Sequence, residues 1–430
     1  MLDATHILND ELIQKCMHCG LCLPSCPTYA LTGLEKSSPR GRIRMMKAVS
    51  DGEMAFTDGF VNEMNFCLDC QACETACPAG VQFGILVESS RDQISKHRVE
   101  PWITRVLKRF LLAKLFANRK RITFVAKLLW FYQVSGLDRC VKKSGLLRLL
   151  SEHVHEIQFL VPRVARISSS RLIMNLHRST AKTEYRIGFL TGCIMDVAFA
   201  DVNLDTVELL THHGCEVVTP KAQKCCGSLL AHNGDFDTAK DFARENVRAF
   251  SGLDLDAIVM NSAGCGAFMR QYGVLLKEDP EYAAPAEEVA EKVRDISEFL
   301  FETGFQANGN SRNPYRSKRV TYHDACHLVH SQRIGEQPRK LIKSVPELEY
   351  VELPESTWCC GSAGIYNITH FDEASLLLDR KISNVRKINP DVIVTGNPGC
   401  MLQIGYGLRK AGMKTEIVHL ATFLRRVCCA

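Results

Sequence analysis

Two stretches of this 430-residue chain carry one cysteine spacing: Cys16-Met17-His18-Cys19-Gly20-Leu21-Cys22-Leu23-Pro24-Ser25-Cys26-Pro27 and Cys67-Leu68-Asp69-Cys70-Gln71-Ala72-Cys73-Glu74-Thr75-Ala76-Cys77-Pro78. Each is a C-x2-C-x2-C-x3-C-P run, the spacing used to hold cubane iron–sulfur clusters. A cubane needs four thiolates, and three close cysteines wrap one side while a distant fourth closes the cage. In paired runs the fourth cysteine serves the other cluster. The spacing therefore assigns Cys16, Cys19, Cys22 and Cys77 to one [4Fe-4S] cluster, and Cys67, Cys70, Cys73 and Cys26 to the second. Pro27 and Pro78 each remove a backbone donor and turn the chain away. C-x2-C pairs also suit zinc, but four cysteines and a proline, twice over, favour iron and sulfide.

The length allows two to four domains. Hydrophobic residues make up 46% and charged residues 23%, so a folded chain is expected rather than a disordered one. Twenty cysteines in a long chain, many at metal-ligand spacing, argue against a secreted disulfide scaffold. Met1 to Lys15 carries Asp3, Asp10 and Glu11 and lacks a long apolar core, so no signal peptide is expected. A reducing cytoplasm is the expected compartment. No stretch reaches the roughly 18 uncharged apolar residues that span a bilayer.

Residues 1–100 read as the cluster-binding unit. The 40 residues between Cys26 and Cys67 suit a mainly helical two-cluster domain, by analogy with fumarate reductase-type iron–sulfur subunits. Pro39-Arg40-Gly41-Arg42 reads as a turn, and Ile43 to Ser50 as a short helix turning Met45, Met46 and Val49 inward. His18 and Asp69, inside the ligand loops, are candidates for tuning cluster potential and otherwise surface residues.

Residues 101–182 hold 17 Lys+Arg against 3 Asp+Glu, in a chain whose remainder is net acidic. Val106 to Phe116 mixes charged and apolar residues at helical spacing. Asn118-Arg119-Lys120-Arg121 follows, then Phe124 to Tyr132 with Trp130, Phe131 and Tyr132. Two readings stand. The helices pack on the rest of the chain, or they rest on anionic lipid or a membrane-bound partner, since basic residues beside Trp, Phe and Leu suit an interfacial helix. No nucleic-acid motif accompanies the charge, so no nucleic-acid partner is expected.

Residues 183–430 contain a repeat, divided here as 183–315 and 316–430. Arg186 to Cys193 corresponds to Arg319 to Cys326, Cys225-Cys226-Gly227 to Cys359-Cys360-Gly361, and Asn261 to Cys265 to Gly396 to Cys400. The offsets are 133, 134 and 135 residues, an agreement hard to obtain by chance. Asn246-Val247-Arg248 recurs as Asn384-Val385-Arg386. Ile258-Val259-Met260 and Val392-Ile393-Val394 read as strands, each preceded by an amphipathic helix, which favours a parallel sheet with crossover helices. Open α/β sheets place ligands at the carboxyl ends of their strands. That brings eight thiols to such loops: Cys193, Cys225, Cys226 and Cys265, then Cys326, Cys359, Cys360 and Cys400. They are candidates for further metal or iron–sulfur centres; redox-active thiols and inert core cysteines are the other readings. His323 and His327 flank Cys326 without counterparts in the first repeat, and act on such a centre, on a substrate, or only on the fold. Cys140, Cys215, Cys428 and Cys429 fit no ligand spacing.

The repeat resembles the cysteine-rich CCG domains of heterodisulfide reductase-like proteins. Joined to the N-terminal two-cluster unit, it is similar to the iron–sulfur subunits of glycolate oxidase. Cys22 to Tyr29, Pro39 to Arg42 and Cys73 to Val81 carry that similarity. The third subunit of anaerobic glycerol-3-phosphate dehydrogenase and the iron–sulfur partners of D-lactate dehydrogenases resemble the chain too. One departure is plain: full CCG domains end in C-x2-C, but Ser262 and Asn397 stand at its first position here. The resemblance implies an α-helical two-[4Fe-4S] ferredoxin-like domain, a basic helical linker and two duplicated α/β CCG domains.

No G-x-G-x-x-G opens a strand–helix unit and no P-loop is visible, so neither a flavin nor an NAD site is expected. The resemblance implies an electron-transfer subunit serving a flavin-containing dehydrogenase subunit that oxidises a 2-hydroxy acid, glycolate favoured. Quinone or a soluble carrier would be the acceptor, with the protein peripheral on the inner face of the plasma membrane. A CCG-type disulfide reductase is the alternative, and the missing cysteines at Ser262 and Asn397 count against it. An iron–sulfur sensor lacks any DNA-reading motif.

Overall fold

Ile258-Val259-Met260 and Val392-Ile393-Val394 are buried at every residue, as parallel strands covered by helices on both faces must be. In the computed structural model, which describes residues 10–97, 115, 118–180, 182–307 and 313–429, these runs lie inside two sheets. The first contains β1 (Leu176–His177), β2 (Tyr185–Phe189), β3 (Cys215–Val218), β4 (Ala257–Met260) and β5 (Val293–Asp295), in the order β1-β3-β2-β4-β5. The second contains β6 (Arg319–Tyr322), β7 (Glu349–Tyr350), β8 (Val392–Thr395) and β9 (Glu416–His419), in the order β7-β6-β8-β9. Thus β3-β2-β4-β5 recurs as β7-β6-β8-β9, parallel throughout. Ile187 pairs with Val217 and Ala257, and Val320 pairs with Tyr350 and Val392. Among the described strands only β1, from the basic region, adds antiparallel, Leu176 against Val218.

The two sheets share one core. Ile187, Phe189 and Val217 of the first repeat pack with Val320, Tyr322, Val394 and Phe423 of the second. Polar contacts fix the relation: His419 Nε2 donates to the Asn261 carbonyl at 2.8 Å, and Ala263 N to the Gly396 carbonyl at 3.1 Å. In each sheet the chain reverses its direction of growth between the first strand of the repeat and the third. The crevice outside their carboxyl ends is where such sheets bind ligands.

Upstream lie α1 (Asp10–Gln14), α2 (Pro27–Thr32), α3 (Pro39–Ser50), α4 (Asp58–Phe66), α5 (Ala72–Thr75) and α6 (Phe83–Lys96). Met46, Phe60, Met64, Leu86 and Val87 form their core. Pro39 to Arg42 is the first turn of α3, not the separate turn its composition suggests. Ser38 Oγ accepts from Gly41 N at 3.0 Å, and Pro39 sits at the first helical position. A capped N-terminus with preset φ overrides the turn-forming residue types. Met46 and Val49 are buried as the helical reading expects, while Met45 is only half-buried beside the same core.

In the basic region, Val106 to Phe116 falls outside the described residues apart from Leu115. Beyond it, α7 (Arg119–Val134) buries only Ile122 and Ala126. Phe124 and Phe131 are 62% and 64% exposed, with Leu128 and Val134 on the same side. Packing against the chain therefore accounts for one narrow stripe of this helix. No described helix is long and apolar enough to cross a membrane.

Candidate iron–sulfur sites and a thiol-lined cavity

The two ligand loops share a backbone shape. His18 and Asp69 have φ of 53° and 52°, and Gly20 and Gln71 have 82° and 59°. These left-handed residues curl each loop, and Asp69 N donates to Cys67 Sγ at 3.3 Å. Cys26 then caps α2, Cys73 lies within α5, and Cys77 follows α5. Cys16, Cys19, Cys22 and Cys77 line one small cavity with Cys73 at its edge, and Cys26, Cys67, Cys70 and Cys73 line a second. Each trio therefore meets the fourth cysteine of the opposite run. Burial pushes the Cys67, Cys70 and Cys73 thiols up. Buried thiolates need a cation to compensate their charge, and iron in a four-sulfur site supplies it. The donor set fits the group.

Two arginines hold these loops. Arg40 Nη1 donates to the His18 carbonyl at 3.1 Å while Nε donates to Glu35 at 2.7 Å. Arg42, fully buried, donates to the Glu63 carbonyl at 2.8 Å and to Thr28 Oγ1 at 3.1 Å. The residues following Pro39 thus act as fasteners for the first loop and for the helices beneath the second.

All eight cysteines of the repeats line a single cavity of about 860 Å³. Cys193 and Cys326 follow β2 and β6, and Cys265 and Cys400 lie in the first turn of the helices after β4 and β8. The adjacent pairs sit on loops bent at Gly227 and Gly361, with φ of 95° and 88°. At Gly361 a side chain would also strike the backbone of Ala374. Cys193 and Cys225 approach to 3.3 Å. Hydrogen bonds from neighbouring sulfurs hold Cys225, Cys326 and Cys360 well below the usual thiol range, and push Cys193, Cys226, Cys359 and Cys400 well above it. A thiolate is the form in which cysteine binds a metal, and these loops bring four such donors together from each repeat.

The two repeats are not equivalent at this cavity. Ser262 and Asn397 both line it, and Asn397 Nδ2 donates to Cys400 Sγ at 3.5 Å. The amide thus hydrogen-bonds a thiol from the position where full CCG domains carry a cysteine. His323 is 1% exposed, has no aligned hydrogen-bond partner on either ring nitrogen among the described residues, and offers a donor within 4.8 Å of those of Cys360 and Cys400. Leu190 stands at its place in the first repeat. His327 Nδ1 lies 3.6 Å from Cys326 Sγ.

The dicluster domain docks beside this cavity. Leu68 and Cys70 bury in one apolar cluster with Cys359 and Tyr366. Thr75 Oγ1 and His330 Nδ1 are 2.9 Å apart. Asp69 is not a surface residue, as its loop position suggests, but is covered by both repeats, whereas His18 is exposed. Cys140, Cys215, Cys428 and Cys429 stay outside the cavities: Cys215 is in β3, Cys428 and Cys429 pack beside the core, and Cys140 is exposed.

Sequence reasoning missed several supporting residues. Asn246 donates to the Cys225 carbonyl at 3.0 Å and accepts from Lys224 N at 2.8 Å, fixing the first cysteine pair. Its recurrence as Asn384 was the available signal. Lys381 holds the second loop through the carbonyls of Glu355 and Ser356, its ammonium lowered to about 8 by burial. Arg91, Glu88 and His232 carried no signal at all.

Comparison with known proteins agrees with this architecture. Residues 12–81 match the 4Fe-4S dicluster domain, 103–160 the linker region of the glycolate oxidase iron-sulfur subunit, and 187–270 and 320–405 the cysteine-rich domain. The probable glycolate oxidase iron-sulfur subunit of Bacillus subtilis (strain 168) is 40% identical over 97% of this chain and 94% of its own length. The glycolate oxidase iron-sulfur subunit of Escherichia coli (strain K12) is 29% identical, covering 95% and 93%. Lactate utilization protein A of Oceanobacillus iheyensis is 31% identical over 56% of this chain and 96% of its own. With its dicluster unit, its linker and its tandem cysteine-rich repeats, the chain belongs to the family of glycolate oxidase iron–sulfur subunits.

Proposed function

We propose that this chain is the electron-transfer subunit of a flavin-dependent 2-hydroxy-acid dehydrogenase, with glycolate the favoured substrate of the complex. One observation carries the reading: two four-cysteine sites adjoin each other at Cys73, and the second shares Cys67, Leu68 and Asp69 with the lining of an eight-cysteine cavity, with Cys70 and Cys359 buried in one apolar cluster. Iron–sulfur clusters, when bound, supply one-electron transfer at potentials set by charge, hydrogen bonding and exposure. Cys16, Cys19, Cys22 and Cys77 hold one, and Cys26, Cys67, Cys70 and Cys73 the second. The repeat cysteines hold further centres. Cys19 is exposed, which leaves the first site open to a redox partner, while the second is covered by the repeats.

Oxidation of a hydroxy acid releases two electrons and needs a flavin or comparable acceptor. We assign that flavin to a partner subunit. The exposed apolar face of α7, flanked by Lys120, Arg121 and Lys127, is assigned to the anionic inner surface of the plasma membrane, where quinone is the acceptor.

The purified chain, loaded with iron and sulfide, is expected to show cluster signals yet no glycolate-dependent dye reduction. Adding the flavin subunit should start turnover. Robust turnover by the chain alone rejects the reading. A second reading, reduction of a small disulfide, is favoured by the size of the thiol-lined cavity. Thiol release from added disulfides, lost on changing Cys226 or Cys360 to Ser, would promote it.

A further inference from the structure

Asp69, His232 and His327 reach one point from three parts of the chain: the second ligand loop, the turn beyond Cys226, and the residue after Cys326. A ligand atom of each lies within 4.8 Å of the other two. Asp69 is 3% exposed, and among the described residues neither of its carboxylate oxygens, nor His232 Nδ1, nor His327 Nε2, makes an aligned hydrogen bond. His232 Nδ1 lies 2.9 Å from Asp69 Oδ2 and touches Glu88 Oε1, but neither contact has hydrogen-bond alignment. Since His327 Nδ1 faces Cys326, its Nε2 is left for this cluster.

The charge here is not settled by the nearest guanidinium. Arg91 gives its donors to the carbonyls of Met64, Cys67 and His232, and none to a carboxylate. Two buried carboxylates, Asp69 and Glu88, therefore crowd one imidazole nitrogen of His232, while among the described residues both Asp69 oxygens and His327 Nε2 have no aligned hydrogen bond. Buried charge without hydrogen bonds is costly unless it is paired or binds a metal.

We propose that Asp69, His232 and His327 form a mononuclear divalent-metal site, with Glu88 beside it as the second carboxylate. Two imidazoles and a carboxylate suit Zn²⁺ or Fe²⁺. The donors are nitrogen and oxygen only, which separates this site chemically from every thiolate site in the chain. The cation pins the second ligand loop to both repeats. This assignment does not depend on the electron-transfer reading.

The test uses the full chain with its iron–sulfur clusters intact, cleared of labile cations with EDTA, reloaded with Zn²⁺ alone and desalted. Metal analysis and zinc-edge X-ray absorption are expected to find zinc with a first shell of nitrogen and oxygen. His232→Asn, outside both ligand loops, should cut retained zinc by at least about tenfold with iron and sulfide unchanged. His327→Gln should also cut retained zinc, and His153→Asn, on an exposed histidine, should not. Zinc retained in both site variants overturns the proposal. So does a sulfur first shell, or failure of the unaltered chain to retain zinc. The last result would mean that a proton on His232 balances the carboxylates instead.

Discussion

Arg91 Nη1 donates to the carbonyl oxygen of His232 at 2.9 Å, joining the last helix of the dicluster domain to the first cysteine-rich repeat. The same guanidinium donates to the Met64 carbonyl at 3.0 and 2.9 Å, and to that of Cys67. One side chain thus fixes α4, the second ligand loop and the repeat together. Arg91→Met leaves these carbonyls unsatisfied. It is expected to cost about 3 kcal/mol, the scale of a broken buried charged network. Chemical denaturation measures the loss, and iron per chain should fall as the Cys67 loop loosens. Arg91→Lys should rescue only part of it, because an ammonium lacks the planar fork.

Gly234 follows His232 and lies against α6. Its φ is 76°, and a side chain there would overlap the Arg91 carbonyl. Gly234→Ala is expected to combine left-handed strain with a backbone clash, destabilising by about 1–3 kcal/mol. The denaturant midpoint should fall, and limited proteolysis of the whole chain should speed up as the dicluster domain undocks. An unchanged proteolysis rate and midpoint would show that the interface yields without penalty.

The ligand loops were legible because four sulfurs around one cluster demand fixed local spacing, and Cys16 to Cys26 writes that spacing out contiguously. The repeats were legible for a related reason: both copies obey the same strand–helix geometry, so Cys193 and Cys326 recur at a constant offset. Arg91 and His232 were not legible. They sit 141 residues apart, neither recurs, and an arginine on an amphipathic helix reads as solvated until its carbonyl partners are seen. Asp69 misled in the same way, since a ligand-loop aspartate looks exposed unless another domain covers it. Pro39 to Arg42 failed locally: its residue types favour a turn, and only the Ser38 cap makes them a helix start.

His419 joins the repeats as a neutral imidazole. Nε2 donates to the Asn261 carbonyl at 2.8 Å, Nδ1 accepts from Ala421 N at 3.1 Å, and burial brings its pKa down to about 4. An unfolded histidine titrates near 6.5. Below that value the unfolded chain takes up a proton that the folded chain refuses, so this contribution is present above about pH 6.5 and is lost as pH falls toward 4. Between pH 8 and 5.5 the loss should be about 1 kcal/mol. His419→Gln should flatten that part of the stability profile, measured by denaturant midpoints. A slope equal to that of the unaltered chain would exclude His419 as its source.

Phe124, Leu128, Phe131 and Val134 leave a continuous apolar face on α7 uncovered, among basic residues. Phe124→Ser with Phe131→Ser removes two of the largest exposed side chains and touches neither the core nor a cysteine. Sedimentation with vesicles containing anionic lipid should show binding fall at least about tenfold, since each fully inserted aromatic is worth roughly 1.5–3 kcal/mol. Iron content should not change. Equal binding by the variant would assign the face to a protein partner.

His323 distinguishes the second repeat from the first, and its two states predict opposite stability effects. Without metal, its buried ring has no aligned hydrogen-bond partner among the described residues, a condition that costs about 1–3 kcal/mol. His323→Leu, which copies Leu190 of the first repeat, should therefore leave the metal-free chain as stable or more so. In the loaded chain the same change removes a nitrogen donor beside Cys360 and Cys400. Ligand identity sets the potential of an iron–sulfur centre, so the variant should show a shifted potential, or less iron, in redox titrations followed by electron paramagnetic resonance. Destabilisation of the metal-free chain with unaltered spectra in the loaded one would make His323 a packing residue with no part in the centre.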